Sequence, residues 1–213
     1  MSPRGFHTRT FVHVPPPGVA TGVDVSVQST ETVQVDIGAR TESFGAARAF
    51  AGEGLDDLLS HAYLRDSEET GGVFPAPALQ MAVDASYNLV TLVAGSHESG
   101  KSDAFQGNRG VVSFAAENLF QMLKTKREDA AGQAYFAFKV SVGYYEIYEE
   151  TVRDLLNPQA RGTTILEPKL DANLGVVMSN VSFQSCANAG EVAAALSYGN
   201  AQRDDRELSS GPV

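Results

Sequence analysis

Val23, Val25 and Val27, then Val33 and Val35, alternate with polar residues, and a period of two on both sides of a short polar break predicts a β-hairpin. Before it, residues 10–14 read as a short strand that runs into Pro15, Pro16 and Pro17 and leaves the sheet there. Residues 41–54 are rich in Gly and Ala with little periodicity, and read as loop. Leu55, Leu58, Leu59 and Tyr63 fall at helical spacing. An acidic, Gly-containing turn at residues 66–72 precedes a helix over residues 73–85, with Pro75 and Pro77 in its first turn. Residues 89–94, LVTLVA, have five apolar positions of six and predict a buried strand.

Downstream, nothing in residues 102–106 forbids a helix start, and Ala115, Leu119, Met122 and Leu123 share one face of a helix that ends in the basic run 124–127. Phe136, Phe138, Val140 and Val142 occupy alternate positions of a strand that continues through Tyr144, Tyr145, Glu146, Ile147 and Tyr148. Residues 149–156 read as a short helix stopped at Asn157 and Pro158, residues 173–182 as a turn and strand, and residues 189–198 as a helix closed by Gly199. Strands alternating with helices imply an α/β sheet with helices on both faces.

Composition narrows the classes. With 213 residues and 43 % hydrophobic content the chain can bury a core as one domain. The 26 acidic residues against 16 basic ones give a net charge of −10, which disfavours nucleic acid and anionic membrane as general electrostatic partners. Cys186 is the one cysteine and allows no internal disulfide, the first ten residues have no signal-peptide character, and no apolar run approaches a membrane span. The expectation is a soluble, intracellular protein.

The chemistry centres on Gly95, Ser96, His97, Glu98, Ser99, Gly100, Lys101 and Ser102, which match G-x-x-x-x-G-K-[ST] at every fixed position directly after the apolar run. In such a loop the backbone N–H groups and the start of the next helix face a phosphate. Lys101 would reach the outer phosphates, and Ser102 would hold Mg2+. Elsewhere the bland readings prevail. His7, His13 and His61 are scattered without metal-ligand spacing and read as surface residues, with His97 set apart by its place in the loop. Tyr144, Tyr145 and Tyr148 read as sheet packing, Glu146 as the partner of a buried neighbour, and Cys186 as a small core or surface residue.

With these pieces in order, the sequence resembles the kinesin motor family from about residue 73 to about residue 203. Ser86, Tyr87 and Asn88 stand where that family has glycine-tyrosine-asparagine, with the same spacing on to Gly95. Ala104, Phe105, Gln106 and Gly107 correspond to its threonine-methionine-glutamate-glycine, and Gly110, Val111, Val112 and Ser113 to its glycine-isoleucine-isoleucine-proline. The most specific stretch is VSVGYYEIYEETVRDLLNP, residues 140–158, similar to the family signature of Y-x-E-I-Y followed by R-D-L-L. Residues 174–181, and Gly199, Asn200 and Arg203, are similar to weaker downstream patterns of the family.

The resemblance implies a kinesin-motor-like P-loop NTPase fold, a mixed sheet with helices on both faces in which the C-terminal half of the motor is missing, and residues 1–213 as one partial motor domain. It also implies ATP or ADP with Mg2+ as cofactors, microtubules as partner, Pro16 against the adenine base, and a cytoplasmic, cytoskeletal setting. Three departures bear on activity. His13, Val14, Pro15 and Pro16 replace the family's R-x-R-P and keep only its last proline, which removes two cationic planes from the base site. Glu98 puts a carboxylate near the phosphates. After Arg203 neither switch motif has a counterpart, although Ser209 and Ser210 echo the serine pair of the first. Two expectations result: a partial or divergent motor domain that binds Mg-ATP, and a non-catalytic interaction module whose nucleotide site has decayed. An unrelated P-loop NTPase would lack the residue 140–158 signature.

Overall fold

The computed structural model describes residues 11–14, 24–29, 32–37, 40–46, 48–51, 55–65, 77–85, 87–95, 100–130, 136–148, 150–160, 166–172 and 175–203. It divides into two compact units, residues 1–125 and 126–213, with the division inside one long helix. The architecture is mixed helix and strand with both parallel and antiparallel pairing, as the α/β reading expects.

In the first unit the valine alternation becomes strands β2 (Asp24–Ser29) and β3 (Thr32–Ile37), antiparallel with Val25 opposite Val35 and Val27 opposite Val33. Val33 is 3 % exposed, so its face is the one that packs. Within the expected loop over residues 41–54, the described residues form two strands instead. β4 (Arg40–Gly45) continues the meander beside β3, and β5 (Arg48–Ala51) pairs in parallel with β1 (Phe11–Val14). β4 lacks apolar alternation because it is exposed along most of its length; cross-strand pairing holds it rather than burial of its own face.

Helix α1 (Leu55–Tyr63) forms as its leucine spacing predicts and buries Leu59, His61 and Tyr63. His61 is therefore no surface residue; it lies on the inner face with its ring 6.3 Å from that of Phe50. Helix α2 (Ala78–Ala85) is shorter than the expected 73–85, of which residues 73–76 lie outside the described residues. The Pro77 carbonyl accepts the Met81 N–H at 3.0 Å, which suits a proline just before the first turn. Leu59 and Tyr63 of α1, Leu79 of α2 and Val111 form the core cluster of this unit.

The run 89–94 departs most from expectation. Among the described residues it joins no ladder, and Leu89, Val90 and Leu92 are 41 %, 86 % and 88 % exposed. Only Val93 packs on the core cluster, while the Thr91 and Tyr63 hydroxyls hydrogen-bond. Apolar composition predicted burial, but burial needs cover on both faces of a strand, and the described residues supply it on one. Helices α3 (Lys101–Gln106) and α4 (Val111–Asp129) follow. On α4 the expected positions Ala115, Leu119, Met122 and Leu123 are half-buried, and the most buried are Val111 and Ala116.

In the second unit the long strand expected over residues 136–148 splits. Burial alternates from Phe136 to Gly143, but ladder pairing covers only β6 (Val140–Gly143), and Tyr144 separates it from β7 (Tyr145–Tyr148). The helix expected over residues 149–156 is a strand, β8 (Thr151–Asp154), antiparallel to β7 through a tight turn in which Glu150 has φ 62. β-Branched Thr151 and Val152 suit the ladder, and Leu155, fully buried, lies just beyond its end. A 3-10 turn (Pro158–Ala160) follows. β9 (Pro168–Asp171) pairs with β10 (Gly175–Met178), and β11 (Phe183–Cys186) pairs with β6. Cys186 is buried.

Helix α5 (Ala189–Ala201) is capped by Asn188, whose Oδ1 accepts the Glu191 N–H at 3.0 Å, while the Glu191 carboxylate reaches back to accept the Ala187 N–H at 2.8 Å and the Asn188 side-chain amide at 3.0 Å. Gly199 does not close this helix; it lies inside it, and the cap is Gln202.

Candidate nucleotide site and the family it belongs to

Of the loop residues, Gly95, Gly100, Lys101 and Ser102 are described; Ser96, His97, Glu98 and Ser99, and also Pro16, lie outside the described residues. Gly100 has φ 78 and ψ 7, the left-handed conformation, directly before α3. A Cβ built there meets nothing within 4 Å, so the backbone angle rather than crowding demands glycine. Its carbonyl accepts the Ala104 N–H at 2.9 Å, the first helical bond, and Lys101 and Ser102 are the first two residues of the helix. Lys101 is half-buried and Ser102 is exposed. A phosphate loop asks for this order of parts: a left-handed glycine, then helix, then a cation and a hydroxyl in the first turn.

The chain leaves α3 through a turn that only glycines fit. The Gly107 N–H donates to the Asp103 carbonyl at 2.8 Å, and a Cβ at Gly107 would stand 2.4 Å from that oxygen. A Cβ at Gly110 would stand 2.8 Å from the Phe105 carbonyl oxygen, and the Gly110 carbonyl accepts the Phe114 N–H at 3.0 Å to open α4. Arg109, from this turn, pairs with Asp56 in the first turn of α1. The two glycines that contribute to the family resemblance thus have a local steric cause here.

The residue 140–158 signature is a structural device within the second unit. Glu146 and Arg153 face each other in the β7–β8 register, with Arg153 Nη1 3.6 Å from Glu146 Oε1, and Arg203 Nε lies 3.8 Å from Glu146 Oε2. Glu146 is the expected ion-pair partner, but of a half-buried and an exposed arginine rather than of a buried neighbour. Tyr144 packs on Gly199 and donates its hydroxyl hydrogen to Asn200 Oδ1 at 2.7 Å, whereas Tyr145 and Tyr148 are exposed and do not contribute the packing expected of them. The sequence reading overlooked Asp154. This carboxylate is 6 % exposed and accepts three backbone N–H groups, from Leu156 at 2.9 Å, Asn157 at 3.1 Å and Ser182 at 2.7 Å. Its signal was the aspartate directly before two leucines and Asn157-Pro158, where a chain turns.

Among the described residues no group of three or more His, Cys, Asp or Glu side chains could hold a metal ion. No helix among them is long and apolar enough to cross a membrane.

Comparison with known proteins follows the same lines. The family model described as kinesin motor domain matches residues 66–209. Kinesin-like protein Klp98A of Drosophila melanogaster is 30 % identical over 120 residues, 55 % of this chain and 9 % of that protein. Human kinesin-like protein KIF13B is 33 % identical over 128 residues, 59 % of this chain and 7 % of that protein. A solved structure of a fast kinesin superposes with a TM-score of 0.64 at 21 % identity, covering 96 % of this chain and 54 % of the other. The chain therefore spans about half of that solved kinesin and less than a tenth of the two curated relatives. With the family model matching well over half of its length, this chain belongs to the kinesin motor domain family.

Proposed function

We propose that residues 1–213 form a divergent part of a kinesin motor domain that binds Mg-ATP or Mg-ADP through Gly95–Ser102 and acts on the microtubule cytoskeleton of the cytoplasm. The observation that carries the nucleotide reading is the left-handed Gly100 leading directly into a helix that opens with Lys101 and Ser102. On this reading the loop amides and Lys101 bind the outer phosphates, the exposed Ser102 hydroxyl supplies a ligand to Mg2+, and Pro16 lies against the base. The bound metal would neutralise charge between the phosphates. The microtubule reading rests on family membership; for the fast kinesin of similar fold, the structure has implications for ATPase mechanism and interactions with microtubules.

A second reading, a non-catalytic interaction module with a decayed site, draws on residues 89–94. A phosphate loop works by preorganised amides, and here the run that leads into it has no strand partner among the described residues. Calorimetry of the folded chain with Mg-ADP, beside Lys101→Ala, separates the two. Binding that Lys101→Ala weakens by tenfold or more supports the nucleotide site. A folded chain without millimolar-range binding overturns it and leaves the module.

A further inference from the structure

The core cluster of the first unit reaches both flanks of the phosphate loop. Tyr63 of α1 is buried in it with Leu59, Leu79 and Val111, and the partly buried Val93 and Phe105 pack against it. Val93 stands two residues before Gly95, and Phe105 lies in α3, one helical turn after Lys101. At about 3.3 Å per residue of extended chain and 1.5 Å per residue of helix, the cluster meets the chain within roughly 7 Å of the loop's first glycine and of its lysine. A polar contact adds to this packing on the entry side. Thr91, two residues before Val93, is itself exposed, yet its hydroxyl hydrogen-bonds the hydroxyl of the buried Tyr63. The Tyr63 ring also faces that of Phe114 in the first turn of α4, with centroids 6.2 Å apart. Burial holds the phenol in its protonated form, so the hydroxyl stays neutral in this contact.

We propose that Tyr63 is a positioning residue of the phosphate loop: its ring belongs to the cluster on which both flanks pack, and its hydroxyl fixes the entry flank through Thr91. This role rests on the nucleotide reading of Gly95–Ser102. Tyr63 itself precedes residue 66, where the match to the family model begins, so its role follows from the geometry of this chain. A phosphate loop binds through amides that are in place before the ligand arrives. Flanks that are free to move lose that freedom on binding, and affinity falls accordingly. Phenylalanine at position 63 would keep the ring and its packing but release the Thr91 hydroxyl. Loss of one such hydrogen bond, carried fully into binding, weakens affinity about two- to tenfold.

Calorimetry with Mg-ADP on wild type and five variants tests this. Tyr63→Phe and Thr91→Val each remove one hydroxyl at little change of volume, the double variant removes both, and Thr91→Ser keeps the hydroxyl. Gly199→Ala, in the second unit, controls for lost stability, and circular dichroism at the assay temperature checks that each chain is folded. The expected result is the same loss, about two- to tenfold, in Tyr63→Phe, in Thr91→Val and in the double variant, because either change breaks the one bond they share. Thr91→Ser and Gly199→Ala should bind as wild type does. If wild type binds, the positioning role alone is overturned by any of three results: undiminished affinity in Tyr63→Phe, additive losses in the double variant, or an equal loss in Thr91→Ser or Gly199→Ala. A folded wild type without millimolar-range binding overturns the nucleotide reading and this role with it.

Discussion

Gly199 lies so close to Tyr144 that a Cβ on the glycine would stand 2.3 Å from the ring Cδ1 and 2.7 Å from Cε1. The ring is held there by its hydroxyl bond to Asn200. Gly199→Ala should therefore destabilise the chain by about 1–3 kcal/mol, as overpacking does, although Gly to Ala inside a helix alone would gain up to about 1 kcal/mol. In a Tyr144→Ala background the same change should become neutral or stabilising. Urea denaturation of the two single variants and the double one measures the coupling.

Asp154 ties the end of the β7–β8 hairpin to the start of β11 by accepting N–H groups from Leu156, Asn157 and Ser182. Asp154→Ala should cost about 3 kcal/mol, because it strands three donors around a buried site. Arg40→Met, at a side chain 78 % exposed in its pair with Glu42, serves as the contrast and should change stability by less than about 0.5 kcal/mol. Equal effects of the two substitutions in urea melts would discount the role of Asp154.

Burial pushes the Tyr63 phenol above its ordinary ionisation range, with the Thr91 hydrogen bond acting in the other direction. The folded chain thus holds this proton more tightly than the unfolded one. The contribution is complete below the unfolded value near pH 10 and falls as the pH rises beyond it. At pH 8 the Tyr63→Phe variant should be less stable than wild type by about 1 kcal/mol, the worth of one hydrogen bond. That gap should narrow between pH 9.5 and 11, and a gap that stays constant in urea melts across this range would exclude the linkage.

On the two sides of α3 the glycines have different causes, and the variants should rank accordingly. Gly107→Ala places a Cβ 2.4 Å from a backbone oxygen, which cannot move aside as a side chain can, and should cost about 2–3 kcal/mol. Gly100→Ala meets no atoms and suffers only the left-handed backbone, about 1 kcal/mol. Thermal melts of the two variants give the order, and the reverse order would contradict the turn geometry.

Much of the chain was legible because its information is local. Gly100, Lys101 and Ser102 mark a loop into a helix start, Leu55, Leu59 and Tyr63 a helix face, and Val25, Val27, Val33 and Val35 a hairpin, since each depends on spacing within a few residues. The motif order that pointed to the kinesin motor family was equally a property of sequence alone. What the sequence left undecided depends on partners distant in the chain. Residues 40–45 became a strand because β3 offered an edge, and residues 151–154 because the positive φ at Glu150 turned them back on β7. By itself Gly199 reads as a helix end, yet the helix runs on to Ala201 with the Tyr144 ring against the glycine, and His61 reads as a surface residue, yet α1 packs it inward. The apolar run 89–94 is the sharpest case. Hydrophobicity states that burial is favourable, but whether a strand is covered is decided by which neighbours the tertiary structure brings to it, and here the described residues cover one face and not the other.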